Sequence, residues 1–241
     1  MRVVFLLFIA FVLHGCAYPS PRPDVLATSD TPGNGIVFGS FAVVDGLSRR
    51  TQARYRVSLR RAGDDTLTRF EIVTNGFPRT PPDAVDDGVL RYLFAMVLPA
   101  GQYELVDVEA YHPGFVELEF DMGTEKRQWH GKMEGPVSFA VQEEAAVYLG
   151  SHALVPQYVG TGLLPGGRMV RYVHANNRVT DEALARELYA GLPSVTEPEW
   201  IPDTRLQPTE LLRLAYALNP EGRYWKPQSW RRVRALMNEE Q

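Results

Sequence analysis

The chain has 241 residues, 45% of them hydrophobic and 22% charged, with a formal net charge of −4. That length and balance allow one large domain with an appendage, at an ordinary globular composition. The mild acidity argues against a nucleic-acid partner, because a basic face would supply most of such affinity.

The first element reads as an export signal. Arg2 precedes an apolar run from Val3 to Leu13, and Leu13-His14-Gly15-Cys16 closes it. As a helix at ~1.5 Å per residue, the run would span roughly 17 Å, short of the ~30 Å hydrocarbon core. Cys16 is the only cysteine, so a single chain can make no internal disulfide and the body must stand on its core. The segment resembles a bacterial lipoprotein signal peptide ending in a lipobox, with His14 where such boxes usually carry Ala or Ser. The resemblance implies a signal peptide over 1–15, cleavage after Gly15 and a lipid on the Cys16 sulfur. Ala17, rather than Asp, follows the cysteine. In Gram-negative lipoproteins this resembles outer-membrane sorting. The expected location is therefore the bacterial cell envelope, lipid-anchored at the outer membrane and facing the periplasm. Residues 16–35 then read as a tether, because Pro19, Pro21 and Pro23 favour an extended chain.

From residue 36 to 177 the pattern is β. Tyr55, Val57 and Leu59 alternate with Arg54, Arg56, Ser58 and Arg60, a period of two with one face wet and one dry. Leu67 to Val73 reads as the return strand after a turn at Gly63-Asp64-Asp65. Pro78, Pro81, Pro82, Asp83, Asp86, Asp87 and Gly88 read as a long loop. Further strands are expected over Val89–Leu98, Tyr103–Tyr111, Phe115–Phe120, Val137–Val141, Ala146–Gly150 and Met169–Val173. Short strands at this spacing predict an antiparallel β-sandwich.

Residues 178–241 predict a helical C-terminal appendage, giving a mainly β, α+β whole. Thr180 is a candidate N-cap, Asp181 and Glu182 suit the first turn, and Leu184, Leu188 and Leu192 form a stripe. Helices are also expected over Pro208–Leu218 and Gln228–Met237, the latter with Trp230, Val233 and Met237 on one face.

Within the β region, Leu98-Pro99-Ala100-Gly101-Gln102-Tyr103-Glu104-Leu105 is followed by Val137-Ser138-Phe139-Ala140-Val141 and Val147-Tyr148-Leu149-Gly150. This order resembles transthyretin-like and carboxypeptidase-regulatory-like β-sandwich domains, and uncharacterised bacterial lipoproteins that carry one. The resemblance covers about residues 36 to 160 and implies a scaffold rather than an enzyme.

No motif for chemistry stands out. There is no G-x-S-x-G elbow, and in Gly150-Ser151-His152 the serine and histidine are strand neighbours that point to opposite faces. His112, His130, His152 and His174 lack metal-ligand spacing, and Asp83, Asp86, Asp87 and Gly88 lack that of a calcium loop. Glu117/Glu119 and Glu143/Glu144 read as solvated edges. Neither catalytic nor metal residues are assigned, and no cofactor is expected. Trp200, Trp225 and Trp230 crowd the C-terminal region. They read as core of the helical layer, with an aromatic binding surface for an envelope protein or glycan as the alternative. The expected function is a non-enzymatic binding or structural module held to the membrane by its lipid. An envelope hydrolase whose site forms only in three dimensions is the rival from another class.

Overall fold

The computed structural model describes residues 32–45, 54–74, 80–111, 136–158, 168–189, 191–220, 222 and 225–238. Gly15, Cys16, nearly all of the tether, the strand expected over 115–120, His112 and His130 lie outside the described residues.

Two sheets form the body. The larger holds β1 (Asn34–Val44), β4 (Ala84–Asp86), β5 (Val89–Pro99), β8 (Ala146–Tyr158), β9 (Arg168–Ala175) and β10 (Val195–Thr196). The smaller runs in the order β3 (Leu67–Val73), β2 (Arg54–Arg61), β6 (Gly101–Tyr111), β7 (Val137–Val141). The mainly β fold with C-terminal helices agrees with the pattern read from the sequence. Most pairings are antiparallel, but β8 runs parallel to β1 and to β10. Such pairings link strands distant in sequence, which residue alternation does not reveal.

One core lies between the sheets. Val37, Phe41 and Val43 from β1 meet Tyr92, Phe94 and Met96 from β5, and both meet Tyr55, Val57, Leu59, Leu105 and Phe139 of the smaller sheet. The opposite face of β1 is also covered, since Ile36, Phe38, Ala42 and Val44 contact the helical layer. β1 and β5 are thus buried on both faces, which is why they read as continuous apolar runs rather than as alternation. β2, with one wet face, shows the period of two.

The helices are α1 (Arg178–Leu188), α2 (Pro208–Leu218) and α3 (Pro227–Asn238). All belong to the layer on the outer face of the larger sheet. α1 covers Phe38, Leu93 and Tyr148 through Ala185 and Tyr189. Leu211, Leu212 and Ala215 of α2, with Trp225 and Val233, cover Ala42, Val44, Ala153 and Val155. The expected leucine stripe holds in part: Leu192 is buried and Leu184 packs against the same cluster, but Leu188 does not. Leu188 is 40% exposed, and the residues that α1 buries are Asp181 and Ala185. Thr180 is not its N-cap, which is Asn177. The proline-rich loop also contains a strand, β4. Asp87 and Gly88, with φ of 44° and 85°, form the two-residue turn of a β4–β5 hairpin, the left-handed geometry that an Asp-Gly pair favours.

Candidate functional site

A single irregularity organises the polar interior. Along β1 and β8 the register passes from Phe38↔Tyr148 to Ser40↔Ser151, so β8 carries one extra residue. Gly150 lies in this bulge at φ +96°, a conformation that glycine adopts without steric cost. The bulge reverses the alternation of β8. Before it, Val147 and Leu149 face the sandwich and Tyr148 faces the helices. Beyond it, Ser151 joins the helix side and His152 turns into the sandwich.

On the helix side, Asp181 of α1 is fully buried. Its Oδ2 accepts hydrogen bonds from Ser40 Oγ and from the Tyr148 hydroxyl, each at 2.7 Å, and its Oδ1 accepts from Arg91 Nη1 at 2.6 Å. Ser151 Oγ lies 2.9 Å from Ser40 Oγ. The one Ser40 proton serves Asp181, so Ser151 donates to Ser40. The Asn177 backbone N–H reaches the Tyr148 oxygen at 3.2 Å. Burial pushes the Asp181 carboxyl up from its ordinary value, and the Arg91 charge and the three donors pull against that rise. Burial, with the Asp181 charge beside it, raises the Tyr148 hydroxyl far above the usual phenol range. The carboxylate therefore holds an ion pair and two hydroxyl donors, and every one of those groups fastens α1 to the sheet.

On the sandwich side, His152 and His174 are directly opposed on β8 and β9. Their rings stack at 4.9 Å with 4° between planes. His152 Nδ1 lies 2.8 Å from the Tyr172 hydroxyl, while its Nε2 is buried and has no hydrogen-bond partner among the described residues. His174 Nε2 lies 3.2 Å from the Leu149 carbonyl, which fixes the proton on that nitrogen. Burial, followed by the neighbouring His174, holds His152 well below the usual imidazole range, and burial lowers His174 as well. Gly150 is also needed sterically here, because a Cβ at that position would come within 2.1 Å of His174 Nε2.

Ser151 and His152 diverge, as strand neighbours do. They enter two separate clusters and do not form a nucleophile–base pair. Among the described residues no three His, Cys, Asp or Glu side chains converge as metal ligands. The three tryptophans do not share one surface. Trp225 is buried in the helical layer and Trp230 packs beside it, stacked on Tyr216 at 5.1 Å. Trp200 lies at the sandwich, half-buried, with its indole N–H donating to the Ser138 carbonyl at 2.9 Å and its ring 5.5 Å from His174. Asp181 was read as a first-turn residue favoured by the helix dipole. Its actual partner had a visible trace in the sequence: Arg91 stands alone inside the apolar run Val89–Leu98, and a buried guanidinium requires an acid.

No family model matches the chain, and no curated protein matches it. Two solved structures show distant likeness. One is a leucine-rich repeat protein from Bacteroides thetaiotaomicron, at TM-score 0.29 and 16% identity, covering 51% of this chain and 14% of that one. The other is a candidate cell adhesion protein from Parabacteroides distasonis, at TM-score 0.26 and 10% identity, covering 58% of this chain and 41% of that one. The chain thus spans less than half the length of either of these structures.

Proposed function

We propose that this chain is a lipid-anchored cell-envelope protein that acts as a non-enzymatic binding or structural module. The observation that carries the non-enzymatic part is the use made of the buried polar groups. Ser40, Ser151, Arg91, Tyr148 and Asp181 satisfy one another and join two layers. A serine and a histidine adjacent in sequence are turned to opposite faces of one sheet. Such groups are committed to architecture, in contrast to the convergent nucleophile, base and orienting residue of a hydrolase.

The anchored part rests on Leu13-His14-Gly15-Cys16 and on the place where the tether would join the body. β1 starts at Asn34, so a chain rising from Cys16 enters the central strand of the larger sheet directly. The proposed partner is another envelope protein or a glycan, and the lipid holds the module at the membrane where it meets them.

Metabolic labelling with a palmitate analogue tests the anchor. The wild-type chain is expected to label and the Cys16→Ser variant to lose the label. Equal labelling of both would sink the idea. Fractionation tests the sorting: recovery with the outer membrane is expected, and recovery only with the inner membrane overturns that part. Crosslinking followed by purification from detergent-solubilised membranes tests the module. A recurrent envelope partner in the wild type supports it, and hydrolytic turnover of an envelope substrate by the purified chain overturns it.

A further inference from the structure

We infer that the β8–β9 edge is an acid-sensitive latch, in which protonation of the buried His152 and its half-buried neighbour His174 releases β9 from the sandwich. The inference stands on the geometry of the pair and does not depend on the proposed envelope function.

The two rings are directly opposed, parallel and 4.9 Å apart. His152 is fully buried, with the rings of Phe41 and Phe94 about it at 6.1 and 6.0 Å. Neutral imidazole can use the Tyr172 hydroxyl at Nδ1, but Nε2 has no hydrogen-bond partner among the described residues. An imidazolium carries two N–H donors; the Tyr172 hydroxyl can accept one, and the Leu149 carbonyl, already used by His174, offsets only part of the burial that holds His152 neutral. A second cation on His174 would face the first across the stack. Both histidines are therefore held neutral by their surroundings.

The neighbouring groups do not remove this penalty. On β9, Tyr172 is a phenol whose hydroxyl burial and the Asp107 charge push far up, so it stays neutral. Tyr55 on β2 is likewise raised by burial and by Tyr92 on β5. Asp107 on β6 is the carboxylate felt at Tyr172, but among the described residues its buried Oδ1 has no hydrogen-bond partner. Glu199 and Asp203, which flank Trp200, are exposed, as is Arg171 on β9.

The sign follows from linkage. A histidine whose native pKa is depressed contributes stability that is complete above its unfolded value of about 6.5. That stability is lost as pH falls from there toward the depressed native value. Asp181 works in the opposite sense. Its native pKa is raised, so acid does not loosen the anchor of α1 in the same window. The consequence is local, because among the described residues β9 is an edge strand paired only with β8 and can leave without breaking the β1–β8 or β1–β5 pairing. Trp200, whose ring is tilted against His174, would lose its seat with it.

Hydrogen exchange of the detergent-solubilised full chain, compared at pH 7 and pH 5 after correction for intrinsic rates, tests the latch. Amides of β9 are expected to exchange at least about tenfold faster at pH 5, the effect of one pKa unit of coupling, while those of β2 and β6 stay unchanged. The double variant His152→Phe with Tyr172→Phe removes the buried base and its hydroxyl partner together, so its β9 should keep only the smaller acid response that His174 supports. An equal response in that variant, or the same acceleration in every strand, overturns the latch. Should the double variant not fold, imidazole resonances of the wild type decide, assigned with His174→Gln. Depressed titration coincident with β9 opening supports the latch, and independent titration near 6.5 with β9 closed overturns it.

Discussion

Asp181 combines four physical roles in one side chain. It is a helix residue, it is fully buried, it is paired with the buried Arg91, and two hydroxyls complete its coordination. Removing one partner of a buried pair is costly because the other charge remains without compensation. Asp181→Ala is therefore expected to destabilise by about 3–5 kcal/mol in denaturant unfolding. Asp181→Leu combined with Arg91→Met removes both charges and should recover much of that loss. A single variant as stable as wild type would mean that the network does not hold α1. Half of this pair was legible in the sequence, since Arg91 interrupts an apolar run. The identity of its acid was not, because Asp181 lies ninety residues away in sequence and looks like an ordinary first-turn residue. The direction in which Ser151 and His152 point was read correctly, but the side each faces depends on the extra residue at Gly150, which periodicity alone does not announce.

At the scale of the element, α1 shows how a hydrophobic stripe can mislead. Leu184, Leu188 and Leu192 are spaced for one face, and Leu192 is buried, yet Leu188 is 40% exposed while Ala185 and Asp181 are fully buried. The physical reason is the network. Bonding Asp181 to Ser40 and Tyr148 rotates that side of the helix onto the sheet, and the small Ala185 one turn on lets the backbone come close. Leu184 stays at the margin and packs there from the side. Two substitutions separate the alternatives. Leu188→Ala should change stability by no more than about 0.5 kcal/mol, as a surface change does. Ala185→Leu should cost about 1–3 kcal/mol by overfilling a closed contact. The reverse order in thermal melts would restore the leucine stripe as the docking face. By contrast, α2 was legible to its ends, Pro208 and Leu218, because proline at the first helical position and Pro220 beyond the last are strong local signals. β4 was missed although Asp87-Gly88 is itself a hairpin signature; the surrounding prolines and aspartates obscured it.

At the scale of the whole molecule, three layers share one central sheet. The smaller sheet covers one face of β1 and β5, and the helices cover the other. That arrangement explains why the strands of the larger sheet carry apolar residues on both faces. Ile36, Phe38, Ala42, Val44, Leu93, Tyr148, Ala153 and Val155 are directed at helices that come more than a hundred residues after β1 in the chain. β10 strengthens the same dependence, since it adds an edge to β8 from within the helical region. Helices of this length are marginal in water by themselves and gain most of their stability from the surface that they cover. The sheet in turn cannot leave that surface bare, because contiguous apolar patches beyond a few hundred Å² invite association. Ending the chain after Asn177 removes α1, α2, α3 and β10 together, and it also takes Asp181 away from Arg91. The shortened chain is therefore expected to melt at a lower temperature than the full chain and to aggregate, as read by thermal scanning and light scattering at matched concentration. If it is as soluble and as stable as the full chain, the helical region is an independent unit. The apolar residues on the outer face of β1, β5 and β8 would then have to be covered by something other than the helices.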